Sequence, residues 1–311
     1  MATRDVTAQS DIGKMKVESD GSFKRRASSF RQQIEKGGQF PPEKGVTVVS
    51  PRMGSNGWTF GDHDEFPGAQ PDPLYKSAHL KDLYLKACPE YDGRFTVPTL
   101  WDKRTHTIVN NESSEIIRMF NTAFNDQLSP EKANIDIYPE KLRTEIDSMN
   151  EWVYDNVNNG VYRSGFAQSQ EAYQKAVVQV FEALDKLEKI LTGKDYLIGD
   201  QLTEADIRLF VTIIRFDPVY VGHFKCNFRT IRDGYPAIHL WLRKLYWNNP
   251  VFKDTCNFDH IKTHYYWSHV SVCLTQHLFA CSCIKDSNAT GVQINPTRVV
   301  PVGPIPNIRP L

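Results

Sequence analysis

The sequence is short of cysteine where cysteine would matter most. Six cysteines are spread over 311 residues (Cys88, Cys226, Cys256, Cys273, Cys281, Cys283), and neither a Cys-x-x-Cys nor a Cys-Pro pair stands before residue 58. Their scatter excludes a disulfide framework of the kind that staples small secreted domains, and with no signal-peptide pattern a reducing compartment, the cytoplasm, is expected. Excess charge of either sign is also absent: 37 basic residues balance 37 acidic ones. That removes the attraction on which nucleic-acid binding and adsorption to anionic membranes rest, so neither partner is expected. No apolar run is long enough to span a bilayer. The first 39 residues are polar but include Asp5, Asp11, Glu18 and Asp20, which argues against an acid-poor transit peptide.

What is present suits a globular protein of two domains. Hydrophobic residues make up 40% of the chain and charged residues 24%, enough to build a sizeable core over this length. Aromatics reach 12%, and several fall in loop-like segments, where exposed rings suit a flat apolar ligand.

Residues 1–44 read as a mobile extension. Ser28-Ser29-Phe30-Arg31 has the character of a short helix start ahead of Pro41-Pro42. Arg25-Arg26-Ala27-Ser28 resembles a site for an arginine-directed kinase, but its composition reads first as a solvated basic turn. Val46-Thr47-Val48-Val49 is a β-branched run and predicts a strand. The stretch from Met53 to Phe60 is rich in turn residues and reads as a loop carrying Trp58. Helical character follows over 74–87, then two strands around 95–101 and 105–110, then a helix from about 113 to 124 that opens on the acidic-hydroxyl pair Glu112-Ser113.

From residue 130 the pattern is helical throughout. Leu142, Ile146, Met149, Val153 and Val157 form one apolar face, and Tyr173, Val177, Val180, Leu184, Leu187 and Leu191 another. Thr203 and Asp206 have the spacing of a capping box, with Leu202 and Ile207 placed as its hydrophobic staple. Pro236 opens a further helix bearing Ile238, Trp241, Leu242 and Leu245. The fold class is therefore α/β followed by all-α, in two domains.

Several strings along the chain resemble the glutathionyl-hydroquinone reductases, the xi class of the glutathione transferase family. They are Gly54-Ser55-Asn56-Gly57-Trp58, Thr96-Val97-Pro98, Asn110-Asn111-Glu112-Ser113, Asn159-Gly160-Val161-Tyr162, Phe216-Asp217-Pro218-Val219-Tyr220, Asn257-Phe258-Asp259-His260-Ile261-Lys262 and His264-Tyr265-Tyr266-Trp267-Ser268-His269, with Ile294-Asn295-Pro296-Thr297 in the tail. The resemblance covers the chain from about residue 30. It implies a thioredoxin-like domain over 45–127, a glutathione-transferase-type helical domain over 128–269, an atypical insertion over 270–292, a tail over 293–311, and a homodimer. The implied reaction reduces a glutathionyl-hydroquinone with a second glutathione as cosubstrate and no metal. A low-pKa cysteine thiolate attacks the thioether sulfur, and free glutathione resolves the mixed disulfide.

Two departures from the family pattern stand out. The family places a strand, a Cys-Pro-Trp turn and a helix between Gly45 and Val46, which here adjoin. The nucleophilic cysteine, the first strand and the first helix are therefore missing. The family also runs almost directly from His269 to Ile294, whereas this chain inserts 270–292. Both have the form of exon-boundary events, one skipped segment and one retained intron. The missing strand is central in its sheet. Without it, either Val46–Val49 slides into the vacancy or the domain is left loose, since each unsatisfied backbone group costs about 1–3 kcal/mol.

The resemblance also assigns site residues. Val97-Pro98, as a cis-proline ahead of a strand, leaves the Val97 N–H and C=O for the peptide part of glutathione. Glu112 and Ser113 hold its γ-glutamyl end, where the helix-start N–H groups attract a carboxylate; alone, the same pair is a plain N-cap. Trp58 lies over glutathione. Tyr162, Tyr220 and Tyr265 bind the hydroquinone hydroxyls, and Tyr265 is the most exposed to disturbance by the insertion that follows it. Cys88 closes a helix, the wrong end of the dipole for a reactive thiolate. Cys273, His277, Cys281 and Cys283 have a loosely zinc-like spacing but read as stray sequence, so no metal is expected.

Overall fold

The computed structural model describes residues 16–25, 27–34, 45–54, 56–61 and 65–269. Within these, 27–137 form one compact unit, and 138–269 with 16–25 form a second. The insertion, its three cysteines and the tail lie outside the described residues. Two short strands, β1 (Lys16–Val17) and β2 (Phe23–Lys24), pair antiparallel and belong to the second unit.

The first unit begins with a hairpin. Strand β3 (Val49–Gly54) pairs antiparallel with β4 (Gly57–Phe60), Met53 opposite Trp58 and Gly54 opposite Gly57. The stretch expected as a loop is thus two strands, its tight turn carrying Gly57 at φ +82°. Helix α1 (Leu80–Ala87) starts six residues later than its pattern suggests. The cause is Asp72, whose carboxylate accepts the N–H groups of Leu74, Tyr75 and Ser77 and turns the chain there. Strands β5 (Leu100–Asp102) and β6 (Thr107–Asn110) form a second hairpin and lead into α2 (Ser113–Thr122).

The order hairpin, helix, hairpin, helix is that of a thioredoxin-like unit in which, among the described residues, no strand or helix of the unit precedes the first hairpin. Strand β6 is buried on both faces. Ile108 packs with Leu80, Leu83, Tyr84 and Phe95 on the α1 side, while Val109 packs with Ile34, Ile116, Met119 and Phe124 on the α2 side. Among the described residues no sheet exceeds two strands. Val46–Val49 does not slide into the vacancy: Val46 is 82% exposed and Val48 41%, and only Val49 enters β3.

Residues 27–34, expected as part of a mobile extension with a helix start, instead run along the outer edge of β6. Arg31 lies opposite Asn110, the Asn111 N–H donates to Phe30 C=O at 3.0 Å, and the Gln32 N–H donates to Val109 C=O at 2.9 Å. The unit also ends later than the expected boundary at 127. Helix α3 (Pro130–Ala133) and the chain after it fold back on α2, because Asn121 donates to Asp136 and accepts the Ile137 N–H at 2.9 Å.

The second unit is helical: α4 (Arg143–Val153), α5 (Gly160–Phe166), α6 (Gln170–Leu191), α7 (Glu204–Arg215), α8 (Ile231–Gly234), α9 (Pro236–Asn248), α10 (Pro250–Asp254) and α11 (Phe258–Ser268). The β1–β2 hairpin docks here through Phe23, which is buried against Phe166. The expected α6 face from Val177 to Leu191 is buried, as are Ile238 and Trp241 of α9. Thr203 and Asp206 form the expected capping box. The Asp206 carboxylate also accepts the Leu197 N–H at 2.9 Å and the Trp241 indole N–H at 3.0 Å, tying α7 to α9. No described helix is long and apolar enough to cross a membrane.

Two single π-turns interrupt this unit, at Tyr154–Asn158 between α4 and α5, and at Phe216–Tyr220 after α7. The second contains Pro218, which has no N–H to donate and whose ring would crowd a regular α-turn.

Candidate functional site

The expected site residues fall into two groups, one in each unit. In the first unit the Val97–Pro98 peptide is cis. Val97 is 40% exposed, and its N–H and C=O make no hydrogen bond with any described residue. A polar knot holds the loop behind it. The Tyr84 hydroxyl donates to Thr96 C=O at 2.8 Å, while the Asn111 amide donates to the Tyr84 oxygen at 3.0 Å and to Thr96 Oγ1 at 3.2 Å. Tyr84 and Asn111 are both buried and join the cis-proline loop to the start of α2. Sequence reasoning passed over them, since a tyrosine in a helix and an asparagine before one carry no distinctive spacing.

Glu112 is the N-cap of α2. Its Oε1 accepts the Ser114 N–H at 3.3 Å and the Ser114 hydroxyl at 3.0 Å, and its Oε2 accepts the Ser28 hydroxyl at 2.9 Å. The plain capping role is therefore realised in this geometry. Ser113, the first helical residue, is exposed, and its N–H and hydroxyl take no described partner. That leaves a donor pair at the positive end of the helix for an anion. Trp58 sits on β4 and packs, half-buried, against the cluster around Tyr84.

In the second unit the three tyrosines come together. The Tyr162 hydroxyl is 2.6 Å from that of Tyr265, and the Tyr220 hydroxyl is 3.0 Å from it. Tyr162 is carried by α5, Tyr220 closes the second π-turn, and Tyr265 lies on α11. Tyr265 is thus the hub, seated in the core despite the insertion five residues on. Three hydroxyls bring three protons, and the two contacts use two, so one O–H donor is left over whatever the direction of each bond. Burial drives the Tyr220 and Tyr265 hydroxyls well above the usual phenol range, with the neighbouring phenols adding to it. Arg215, the last residue of α7, is held in its charged form: burial opposes the charge and the oxygens of Tyr265, Tyr220 and Tyr162 favour it. Neutral donors suit a ligand oxygen that gains negative charge.

An aromatic bed surrounds the trio. Phe224 packs against Tyr162, Tyr220 and Tyr265, with ring centroids 5.2, 5.3 and 5.7 Å away. Behind it, His223 Nε2 is 3.1 Å from His269 Nδ1 in a buried pair. Burial, with the Lys225 charge next, pushes His223 down to about 3, and burial holds His269 well below the usual range. Both rings are neutral at pH 7.

Residues 170–244 match the family model described as the glutathione S-transferase C-terminal domain. The chain is 46% identical over 323 residues to glutathione S-transferase omega-like 2 of Schizosaccharomyces pombe, across 93% of this chain and 95% of that protein. It superposes on the crystal structure of the glutathione S-transferase Xi from Phanerochaete chrysosporium with a TM-score of 0.87 at 60% identity, covering 98% of this chain and 99% of that one. The chain belongs to the xi class of the glutathione transferases. Glutathionyl-hydroquinone reductase YqjG of Escherichia coli is 52% identical over 259 residues, 83% of the xi-class chain described here and 70% of that protein. Its glutathione-bound structure aligns at a TM-score of 0.73 and 50% identity, over 85% of this chain and 77% of that one. These relatives form a family of enzymes.

Against that family the described thiols are poorly placed. Cys226 is fully buried, and burial pushes its thiol up to about 12. Burial also raises Cys256. Cys88 caps the C-terminal end of α1, its N–H donating to Tyr84 C=O. No Cys-Pro-Trp string occurs in this xi-class chain.

Proposed function

We propose that this chain binds glutathione and glutathionyl-hydroquinones, and that its turnover in the family reaction, glutathione-dependent reduction of glutathionyl-hydroquinones to hydroquinones, is impaired because the nucleophilic cysteine is absent. The observation that carries this is the hydroxyl chain Tyr162–Tyr265–Tyr220, with one donor to spare. A hydroquinone presents two phenolic oxygens, and the spare O–H is the group that would hold one of them as charge develops. Val97, Pro98 and Ser113 supply open backbone and hydroxyl groups for glutathione, with Glu112 facing its amine and Trp58 over it. The glutathione-bound structure of YqjG supports this half. In the family chemistry a cysteine thiolate attacks the thioether sulfur, the hydroquinone leaves, and a second glutathione resolves the mixed disulfide. This chain keeps the groups that receive the hydroquinone and lacks the attacking sulfur. As the family implies, the protein is then a cytoplasmic homodimer.

A catalytically silent glutathione- and quinone-binding protein is the second reading, favoured by the same missing thiol; an unstable splice product is a third, favoured by the two separate hairpins. The deciding experiment measures glutathione-dependent release of free hydroquinone from a glutathionyl-hydroquinone. It compares this chain with one in which a strand–Cys-Pro-Trp–helix segment is restored after Gly45. Activity only in the restored chain supports the proposal. Equal activity in both overturns the account of the nucleophile, and failure of this chain to bind either compound overturns the binding half.

A further inference from the structure

The segment along the outer edge of β6 begins at a residue with unusual neighbours. The Ser28 hydroxyl donates to Glu112 Oε2 at 2.9 Å and lies 3.3 Å from Asn111 C=O. Every described polar partner of that hydroxyl is an acceptor, and one is a carboxylate. The rest of the segment follows in register. Phe30 N–H donates to Asn111 Oδ1 at 3.1 Å, Gln32 C=O accepts from the Asn110 amide at 2.9 Å, and Arg31 pairs with Glu115. The strap is extended, and Ala27, Ser29 and residues 31–33 are exposed. Ser28 also stands three residues after Arg25 and two after Arg26. An arginine-directed kinase reads that pattern in an extended substrate, its acidic cleft complementary to the two guanidinium groups.

We propose that Ser28 is a phosphorylation site, and that its phosphate releases residues 28–34 from β6 and the start of α2. The kinase transfers the γ-phosphoryl group of ATP to Ser28 Oγ. The bond from the γ-phosphorus to the bridging oxygen breaks, ADP leaves, and the hydroxyl proton passes to the kinase's base. The product has lost the donor that Glu112 accepts and carries close to two negative charges against that carboxylate. Arg31 cannot answer the new charge without giving up Glu115, which holds it. The strap's first anchor turns from attractive to repulsive, and the edge pairing beyond it frays from that end. Release also takes the Ser28 hydroxyl away from Glu112 Oε2, while Oε1 keeps its cap bonds to Ser114. The inference stands on the strap's own contacts and holds whether or not the chain binds glutathione.

The test treats the full chain with Mg·ATP and the catalytic subunit of cyclic-AMP-dependent protein kinase. Mass spectrometry locates the phosphate, and hydrogen exchange follows the Gln32 and Asn111 amides. Phosphate is expected on Ser28, lost in Ser28→Ala and kept in Ser29→Ala. Exchange at both amides is expected to rise about tenfold or more in the phosphorylated chain. Glu112→Gln, which removes the facing charge, is expected to restore much of the protection to the phosphorylated form. The proposal is overturned if Ser28 is not modified, if the two amides are unprotected before modification, or if they stay equally protected after it.

Discussion

Phe224 lies flat against Tyr220, with ring centroids 5.3 Å apart and planes 6° from parallel. The approach depends on Gly165 of α5. A Cβ at that position would stand 2.2 Å from Phe224 Cδ1 and 2.4 Å from Cγ, far inside contact distance. The ring has no free side to move toward, since it is fully buried among Tyr162, Phe166 and Tyr265.

Gly165→Ala therefore tests the bed under the trio. In an open helix the change would gain up to about 1 kcal/mol. Here the clash should win, for a net loss of about 1–3 kcal/mol. The check is the urea midpoint followed by far-ultraviolet circular dichroism, and adding Phe224→Leu to make room should recover part of the loss. A single variant as stable as the parent would show that the ring is free to shift.

The hub of the hydroxyl chain is the next target. Tyr265→Phe removes one oxygen and takes away the only described partner of both the Tyr162 and the Tyr220 hydroxyls. Tyr220 is 2% exposed, so its orphaned hydroxyl should cost about 1–3 kcal/mol. Tyr162→Phe should cost less, because Tyr162 is only half-buried and its loss leaves Tyr265 paired with Tyr220. On the proposed function both variants also weaken glutathionyl-hydroquinone binding, Tyr265→Phe by about tenfold. Titration calorimetry beside urea unfolding separates the two effects. Equal stability losses in the two variants would refute the central place of Tyr265.

Much of this arrangement could be read before the structure, for reasons that differ by element. The Thr203–Asp206 box and the apolar face of α6 are local patterns, each complete within a single helix, and both form as expected. The Tyr162, Tyr220 and Tyr265 trio was legible only through family strings, because 103 residues separate the outer members of its shortest contact. The β3–β4 hairpin was misread because Gly54, Asn56 and Gly57 dominate its composition, while beyond their own pairing its strands make just an isolated bridge, Thr59 to His79, among the described residues. The strap at 27–34 was misread because its partner, β6, lies about 80 residues away and edge pairing leaves no local signature. Gly165 and Phe224 look ordinary in sequence; only the ring contact shows why a Cβ is excluded.

Acid should weaken the helical unit through its buried histidines. The folded pKa of His223 lies at about 3, below its unfolded value of 6.5, so between those limits the unfolded chain binds a proton that the folded chain refuses. Stability is then complete above about pH 6.5 and falls as the pH drops toward 3, by about 2 kcal/mol between pH 7 and pH 5 for this one group. His269, depressed by burial and by His264 and His223, acts in the same direction. Asp206 and Asp217 act oppositely, because burial raises both and their protonation favours the folded form as the pH falls. His223→Gln isolates what the histidine contributes: the amide can still bond His269 Nδ1 but does not titrate. Urea unfolding at pH 7 and pH 5, read in the helical circular dichroism signal, should show the parent losing about 2 kcal/mol more than the variant. Parallel losses would mean that His223 takes up its proton in the folded state without penalty, and that water reaches the pair behind Phe224.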